Sequence, residues 1–407
     1  MTNRVVVTGI GVVSPIGVGL ADAARGLRDG RSGVQTHPDW ASVAHLRTRL
    51  GAVVPDLGAA AVPRKAARTM GRVAQLATVA TTEAIRDAGL TQAELGSGKV
   101  GLVYGSTHGS TTATEEFTRH FFQKGLEGLS ATGYLKFMSH TAAANLAMHF
   151  GIRGRVVPVV SACTSASQSI GVAYEAVKYG LSEVMLAGGA EELHVLHAAV
   201  FDLLYATSTR CNDDPTSSPR PFDRDRDGMV VGEGAGTLVL EPLERARARG
   251  AKIHAELVGF GTTCDGAHVT SPSPEGMRAA IEAALKDAGL PADAIGYVNA
   301  HGTGTELGDL AEAQATHAVL GARVPFSSTK GATGHTLGAC GAIEAALSLV
   351  MLSEGFVAPT RNLVNVDPRC APLDHVQGGL RQVALEHVMS NNFAFGGIDT
   401  SLIFRRL

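Results

Sequence analysis

The sequence predicts an α/β protein built from two similar halves, each a mixed sheet flanked by helices. Three observations carry this. Helix-period runs alternate with apolar strand-like runs along the 407 residues. The 49 glycines concentrate in short loops after apolar strands, where a backbone can approach a ligand closely. Four segments of the first half recur, in the same order, in the second.

The repeats define the elements. ATTEAIRDAGL, from Ala80, and RAAIEAALKDAGL, from Arg278, are helix-period runs that close on DAGL. Each leads through a polar link to an apolar strand (VGLVYGS, IGYVNA) and a Gly/Thr-rich loop holding a histidine. RVVVTGIGVVSPIG near the start matches KIHAELVGFGTTCDG from Lys252. VVPVVSACTSASQSIG matches VPFSSTKGATGHTLGACGAIEA, a strand and then a small-residue helix. VMLAGGAEE matches VMSNNFAFGG. The halves are residues 1–250 and 251–407, and the first holds the longer insertions, around 105–140 and 205–227.

Composition narrows the class. With 45% hydrophobic and 18% charged residues and a net charge of −3, the chain reads as a soluble enzyme able to bury a large core. The mild acidity argues against a nucleic-acid partner. The start, broken by glycines and Pro15, reads as a core strand rather than a signal peptide. No run of ~18 uninterrupted apolar residues appears, so no membrane insertion is expected, and a cytoplasmic location is the expectation. The five cysteines, at 163, 211, 264, 340 and 370, form no CxxC pair. That argues against a disulfide framework and a structural metal site.

Cys163 sits where the strand VVPVVSA meets a small-residue helix. A thiol at a helix N-terminus sees the positive end of the macrodipole, so its pKa is expected to fall and its thiolate to act as a nucleophile. His301 follows the strand IGYV on a loop. Lys330 and His335, five apart, lie on another loop leading into a helix. Two imidazole N–H groups aimed at one point would stabilise an oxyanion; neither belongs to an HExxH metal pair. Lys330 serves His335 or forms an ordinary salt bridge. In SNNFAFGG, Phe393 and Phe395 offer bulk beside the flexible Gly396 and Gly397: an aromatic plug, or a gate with a backbone N–H for an oxyanion hole.

These motifs resemble the β-ketoacyl-acyl-carrier-protein synthases, condensing enzymes of fatty acid and polyketide synthesis, over essentially the whole chain. The resemblance rests on VVVTGIGVVSPIG, SACTSAS, PFDRDRDGMVVGEGAG, NAHGTGT, STKGATGHTLGACGAIEA and SNNFAFGG. It implies a duplicated thiolase-like fold, layered α-β-α-β-α, of the elongating Cys-His-His type. It further implies that Cys163 takes an acyl chain from a carrier protein. His301 and His335 would then hold the malonyl thioester carbonyl while carbon dioxide leaves. Backbone N–H groups of Cys163 and Phe395 would form the oxyanion hole, with Phe395 gating the acyl chain. Lys330 would orient the His335 site, and Glu344 would support it. No cofactor or metal is implied.

Several positions depart from the family pattern. Ala394 stands for a flexible glycine, which would stiffen the gate. Ile398-Asp399 replaces Thr-Asn, Gly304 replaces serine, and Thr164 replaces alanine. Thr107 and His108 would narrow or polarise the acyl pocket and suit an unusual chain, a conjugated polyene or an aryl-primed one; an ordinary surface loop explains them as well. Arg64, Arg68 and Arg72 are four apart and read as one helical face, with Lys65 beside them. With Arg210, they would dock an acidic acyl carrier protein. A homodimer is the family expectation, and a heterodimer with a chain-length-factor-like subunit is the alternative. A chain-length factor itself typically lacks the cysteine. A thiolase would need a second cysteine near the C-terminal glycine loop, and a cysteine hydrolase would need water where the family keeps an apolar tunnel.

Overall fold

The computed structural model describes residues 2–407. The first half contributes strands β1 (Val5–Ser14), β2 (Val100–Gly105), β3 (Val156–Val159), β4 (Val184–Glu191) and β5 (Gly234–Pro242). The second contributes β6 (Ala255–Cys264), β7 (Tyr297–Asn299), β8 (Pro325–Ser327), β9 (His387–Phe393) and β10 (Ile398–Arg405). In space they run β3-β2-β4-β5-β1 and then β6-β10-β9-β7-β8, so the second order is the mirror of the first. Parallel and antiparallel pairings mirror each other too. The sheets are not separate: β1 and β6 hydrogen-bond antiparallel, with Val5 opposite Leu257, and join the halves at one edge.

The helices used below are α1 (Arg72–Ala88), α2 (Thr111–Lys124), α3 (Thr141–Phe150), α4 (Ser165–Lys178) and α5 (Val195–Leu203) in the first half. The second half has α6 (Pro274–Ala288), α7 (Glu306–Leu320) and α8 (Cys340–Glu354). Helices α4 and α8 pack against each other between the sheets; α8 touches both β9 and β5, and α4 touches β4 and β10. Helices α1 and α3 cover the outer face of one sheet, and α6 packs on the other with α7 against it. The result is five layers. The segment Leu337–Glu354 has a mean hydropathy of 1.4 over 18 residues, apolar and long enough to cross a membrane. It is 89% buried as the central helix, which accounts for its apolar character on every side.

The repeated glycines have a steric cause. A Cβ on Gly11 would lie 1.9 Å from the Ala80 carbonyl oxygen, and one on Gly261 would lie 2.1 Å from that of Ala280. Helices α1 and α6 therefore lie directly on their strands. Both strands shift register at the paired glycine, between Val7 and Gly9 and between Leu257 and Gly259. The DAGL aspartates anchor the same places: Asp87 accepts from the Ile10 N–H at 3.0 Å, and Asp287 from the Phe260 N–H at 3.1 Å.

The basic run 64–72 is not one helical face. A short 3-10 turn covers Ala66–Thr69, and α1 starts only at Arg72, after an extended Gly71. Arg64, Lys65 and Arg68 are exposed. Arg72 is half-buried instead and pairs with the buried Glu233 at 2.6 Å, so its charge is largely met by that carboxylate.

Candidate active site

Cys163 sits on a strained elbow. After β3, Ala162 takes a left-handed φ of 48°, a single 3-10 turn covers Ala162–Thr164, and α4 follows. Hydroxyls satisfy the backbone that this turn strands. Thr164 donates to the Ser161 carbonyl at 2.7 Å, Ser165 to that of Ala162 at 2.7 Å, and the Ser161 N–H donates to Ser165 at 3.0 Å. A threonine after the nucleophile therefore has a structural task. The second half builds the same elbow: Leu337 has φ 47°, a 3-10 turn covers Leu337–Ala339, and α8 follows.

The histidines are aimed by backbone anchors. The N–H groups of His301 and Gly302 each donate at 2.7 Å to the carboxylate of Glu312, one helical stretch further on in α7. Gly304 donates to Asp309 at 3.1 Å, and Asp309 pairs at 3.5 Å with the buried Arg226. The His335 N–H bonds the Val230 carbonyl at 2.7 Å. Glu312, Asp309 and Arg226 were not singled out in the sequence. The available signals were two acids among the alanines of α7 and an arginine inside PFDRDRDG.

The predicted residues converge. His335 Nε2 lies 3.0 Å from Cys163 Sγ, and the rings of His301 and His335 stand edge-on with centroids 5.2 Å apart. Lys330 Nζ lies 3.3 Å from His301 Nδ1 and is ion-paired with Glu344, whose other oxygen accepts from Asn392 at 2.7 Å. The direct contact of Lys330 is with His301 rather than with His335, the ring it was expected to orient, although its charge reaches both. A lysine ammonium can only donate, so His301 Nδ1 accepts and its proton resides on Nε2. Phe393 lies 6.2 Å from the His301 ring, and Phe395 packs on Phe201 at 5.4 Å. Both phenylalanines line a cavity of ≈ 440 Å³ together with Cys163, His301 and His335.

Burial dominates the electrostatics. The Cys163 thiol is pushed up to about 12, first by burial; the Lys330 charge and the backbone N–H groups of Phe395 and Cys163 act in the opposite direction. The direction runs against the lowered pKa expected from the helix terminus, because Cys163 is only 6% exposed and a thiolate there gives up its hydration. Burial and then Lys330 hold both His301 and His335 well below the ordinary histidine range, so both rings are neutral. Donor atoms of Cys163, His301 and His335 lie within 4.8 Å of one another, a spacing that would suit a metal. The Lys330 ammonium against His301 opposes a second cation there.

Other sequence candidates lie elsewhere. Thr107 donates to the Ala162 carbonyl at 3.3 Å, and His108 stacks on His197 at 4.6 Å; neither lines the cavity at Cys163. Thr107 is spent on the elbow, and His108, exposed itself within an otherwise largely buried loop, is spent on His197. Arg210 is exposed and donates to the Asp225 carbonyl at 2.8 Å. Ala394 lacks a positive φ, so alanine meets no backbone strain there; Gly396 and Gly397 carry the left-handed angles of the turn, 88° and 72°.

A duplicated sheet of this order, with a cysteine and two histidines at its strand ends, defines a condensing-enzyme class. The chain belongs to the beta-ketoacyl synthase family: the N-terminal domain of that family matches residues 2–246 and its C-terminal domain residues 254–364. It is 40% identical to the 3-oxoacyl-[acyl-carrier-protein] synthase 2 of Synechocystis, over 99% of this chain and 98% of that one. A beta-ketoacyl synthase from Burkholderia phymatum superposes with a TM-score of 0.95 at 50% identity, covering 100% of both chains. The ishigamide ketosynthase/chain length factor gives 0.92 at 33% identity, also over 100% of both.

Asp399 carries a pH consequence. It is 3% exposed at the cavity wall, and burial, then the neighbouring Asp265, pushes its carboxyl up to about 8. The folded pKa is above the unfolded one, so its contribution to stability is complete below about pH 4 and is lost as pH rises towards 8. Asp399→Asn is therefore expected to raise Tm over the parent by an amount that grows from pH 5 to about pH 8 and then levels. Thermal melts across that range check it; a Tm difference independent of pH would contradict the assignment.

Proposed function

We propose that this chain condenses a malonyl thioester with an acyl thioester held on Cys163, both delivered by an acyl carrier protein. The observation that carries this is the run Cys163–His335–His301–Lys330, linked by the 3.0 Å and 3.3 Å contacts. In acyl transfer, the thiol proton passes to His335 Nε2 as sulfur attacks the incoming carbonyl. The departing carrier thiolate then takes that proton. In the second half-reaction, the malonyl thioester oxygen accepts the Nε2–H of neutral His301, and that of His335 once the single ring proton of His335 has moved from Nδ1 to Nε2. Its carboxylate leaves as carbon dioxide, and the electron pair becomes an enolate. The enolate carbon attacks the acyl carbonyl. The N–H groups of Cys163 and Phe395 take the oxyanion, and its collapse releases the β-ketoacyl product and the Cys163 thiolate, which takes the one proton the condensation consumes from solvent.

A second reading keeps the chemistry and changes the assembly: a heterodimer with a chain-length-factor-like subunit. In that pairing, retention of Cys163, His301, Lys330 and His335 makes this chain the catalytic member. Pairing with a second copy draws support from β3, an edge strand with Val156 and Val160 exposed, and from Phe122, Leu126 and Leu203, each more than 75% exposed.

Mass spectrometry of the protein incubated with carrier proteins bearing fatty, polyketide and aryl-polyene acyl groups tests the reading. A gain of one acyl group is expected, absent in Cys163→Ala, and the preferred group assigns the pathway. Native spectra of the same samples distinguish one chain from two. No loading of any acyl group would remove the proposal. For docking, Arg64, Lys65, Arg68 and Arg210 remain exposed basic residues. Arg68→Glu is expected to raise KM for carrier-bound substrate by roughly threefold to tenfold with kcat unchanged. An unmoved KM in a folded variant would withdraw the docking assignment.

A further inference from the structure

The two elbows share geometry but not occupancy. The residue after the left-handed position is Cys163 in the first and Gly338 in the second. In the working elbow, the N–H of Cys163 acts on the thiol. In its mirror, the N–H of Gly338 donates at 3.2 Å to Glu191 Oε2, at the end of β4. A Cβ on Gly338 would fall 2.8 Å from that oxygen and 2.7 Å from the Thr107 nitrogen. A carboxylate has taken the place where the first elbow keeps its nucleophile.

Glu191 is 0% exposed and holds more than Gly338. It accepts from the Thr107 N–H at 2.7 Å and from the Ser106 hydroxyl at 3.1 Å. Thr107 in turn donates its hydroxyl to the carbonyl of Ala162 at 3.3 Å. One carboxylate thus ties together the loop after β2, the elbow of Cys163 and the elbow that follows His335.

We propose that Glu191 is a positioning residue for the condensation: by filling the anion pocket of the mirror elbow, it holds Ala162 and Leu337 in the left-handed geometry that sets Cys163 against His335. The inference rests on the reading of Cys163 as nucleophile. Glu191 acts on the site in two separable ways. Its shape holds the elbows; burial pushes its own carboxyl up to about 7, and above that pH its negative charge disfavours the Cys163 thiolate. Glu191→Gln keeps the shape: its oxygen can accept from Thr107 and Gly338, and its NH₂ can donate to Ser106 Oγ. Glu191→Ala removes both and leaves two buried N–H groups unpaired.

The test is alkylation of Cys163 by iodoacetamide in the full chain, followed from about pH 6 to about pH 10, beside steady-state condensation kinetics. For Glu191→Gln, the alkylation curve is expected to move to lower pH, with kcat within roughly threefold of the parent. For Glu191→Ala, kcat is expected to fall roughly 10- to 100-fold at nearly constant KM. A Gln curve that superimposes on the parent, or an Ala variant with parental kcat, overturns the proposal. Should the Ala variant fail to fold, the Gln curve alone decides. Failure of the parent to load acyl groups sinks the nucleophile reading instead; a parent that loads, with an unmoved Gln curve, sinks only the role of Glu191.

Discussion

The site depends on one buried ion pair. Lys330 is 0% exposed and Glu344 2%, each from a different element of the second half. Removing either partner alone would leave an uncompensated charge in the core, at a cost of about 3–5 kcal/mol. The pair brings a permanent positive charge to His301 Nδ1. That contact fixes which nitrogen carries the proton, and with burial it keeps both rings neutral. A neutral imidazole with a known N–H is a directed hydrogen-bond donor, whereas an imidazolium would hold the malonyl carboxylate instead of releasing it.

Duplication places this pair near a nucleophile from the other half. Mirrored sheets bring α4 and α8 together in the middle layer, so their N-terminal elbows meet at one end. Cys340, the first residue of α8, donates its thiol to the Cys163 carbonyl at 3.3 Å across that junction. Each half alone holds an incomplete site. The first supplies an elbow and a thiol; the second supplies the two rings, the ion pair and the turn carrying Phe395.

Much of this was legible in the sequence because its causes are local and repeated. The α/β class and the duplicated order follow from GxG strands that must admit a helix backbone, at Gly9 and Gly11 and again at Gly259 and Gly261. Cys163, His301, Lys330 and His335 were legible as strand-end residues in glycine-rich settings. The partner of Lys330 was not, because 29 residues of chain separate it from His301 and only packing brings the two together. The upward push on the Cys163 thiol was not legible for a related reason: the helix terminus is visible in sequence, but the burial is tertiary. Arg72 looked like a free surface charge, but Glu233, 161 residues away, pairs with it. Glu191 sat inside a motif already noted, VMLAGGAEE, yet its meaning appears only when the two elbows face each other.

The central claim is that the Lys330–Glu344 pair serves decarboxylation through His301 and leaves acyl loading to Cys163 and His335. The direct measurement compares the two half-reactions in Lys330→Met/Glu344→Gln, which removes both charges and so avoids an orphaned ion. Acyl loading of Cys163, read by mass, is expected within roughly tenfold of the parent, while malonyl decarboxylation falls at least about 100-fold. Parental decarboxylation in that folded variant, or an equal fall in both steps, would contradict the account.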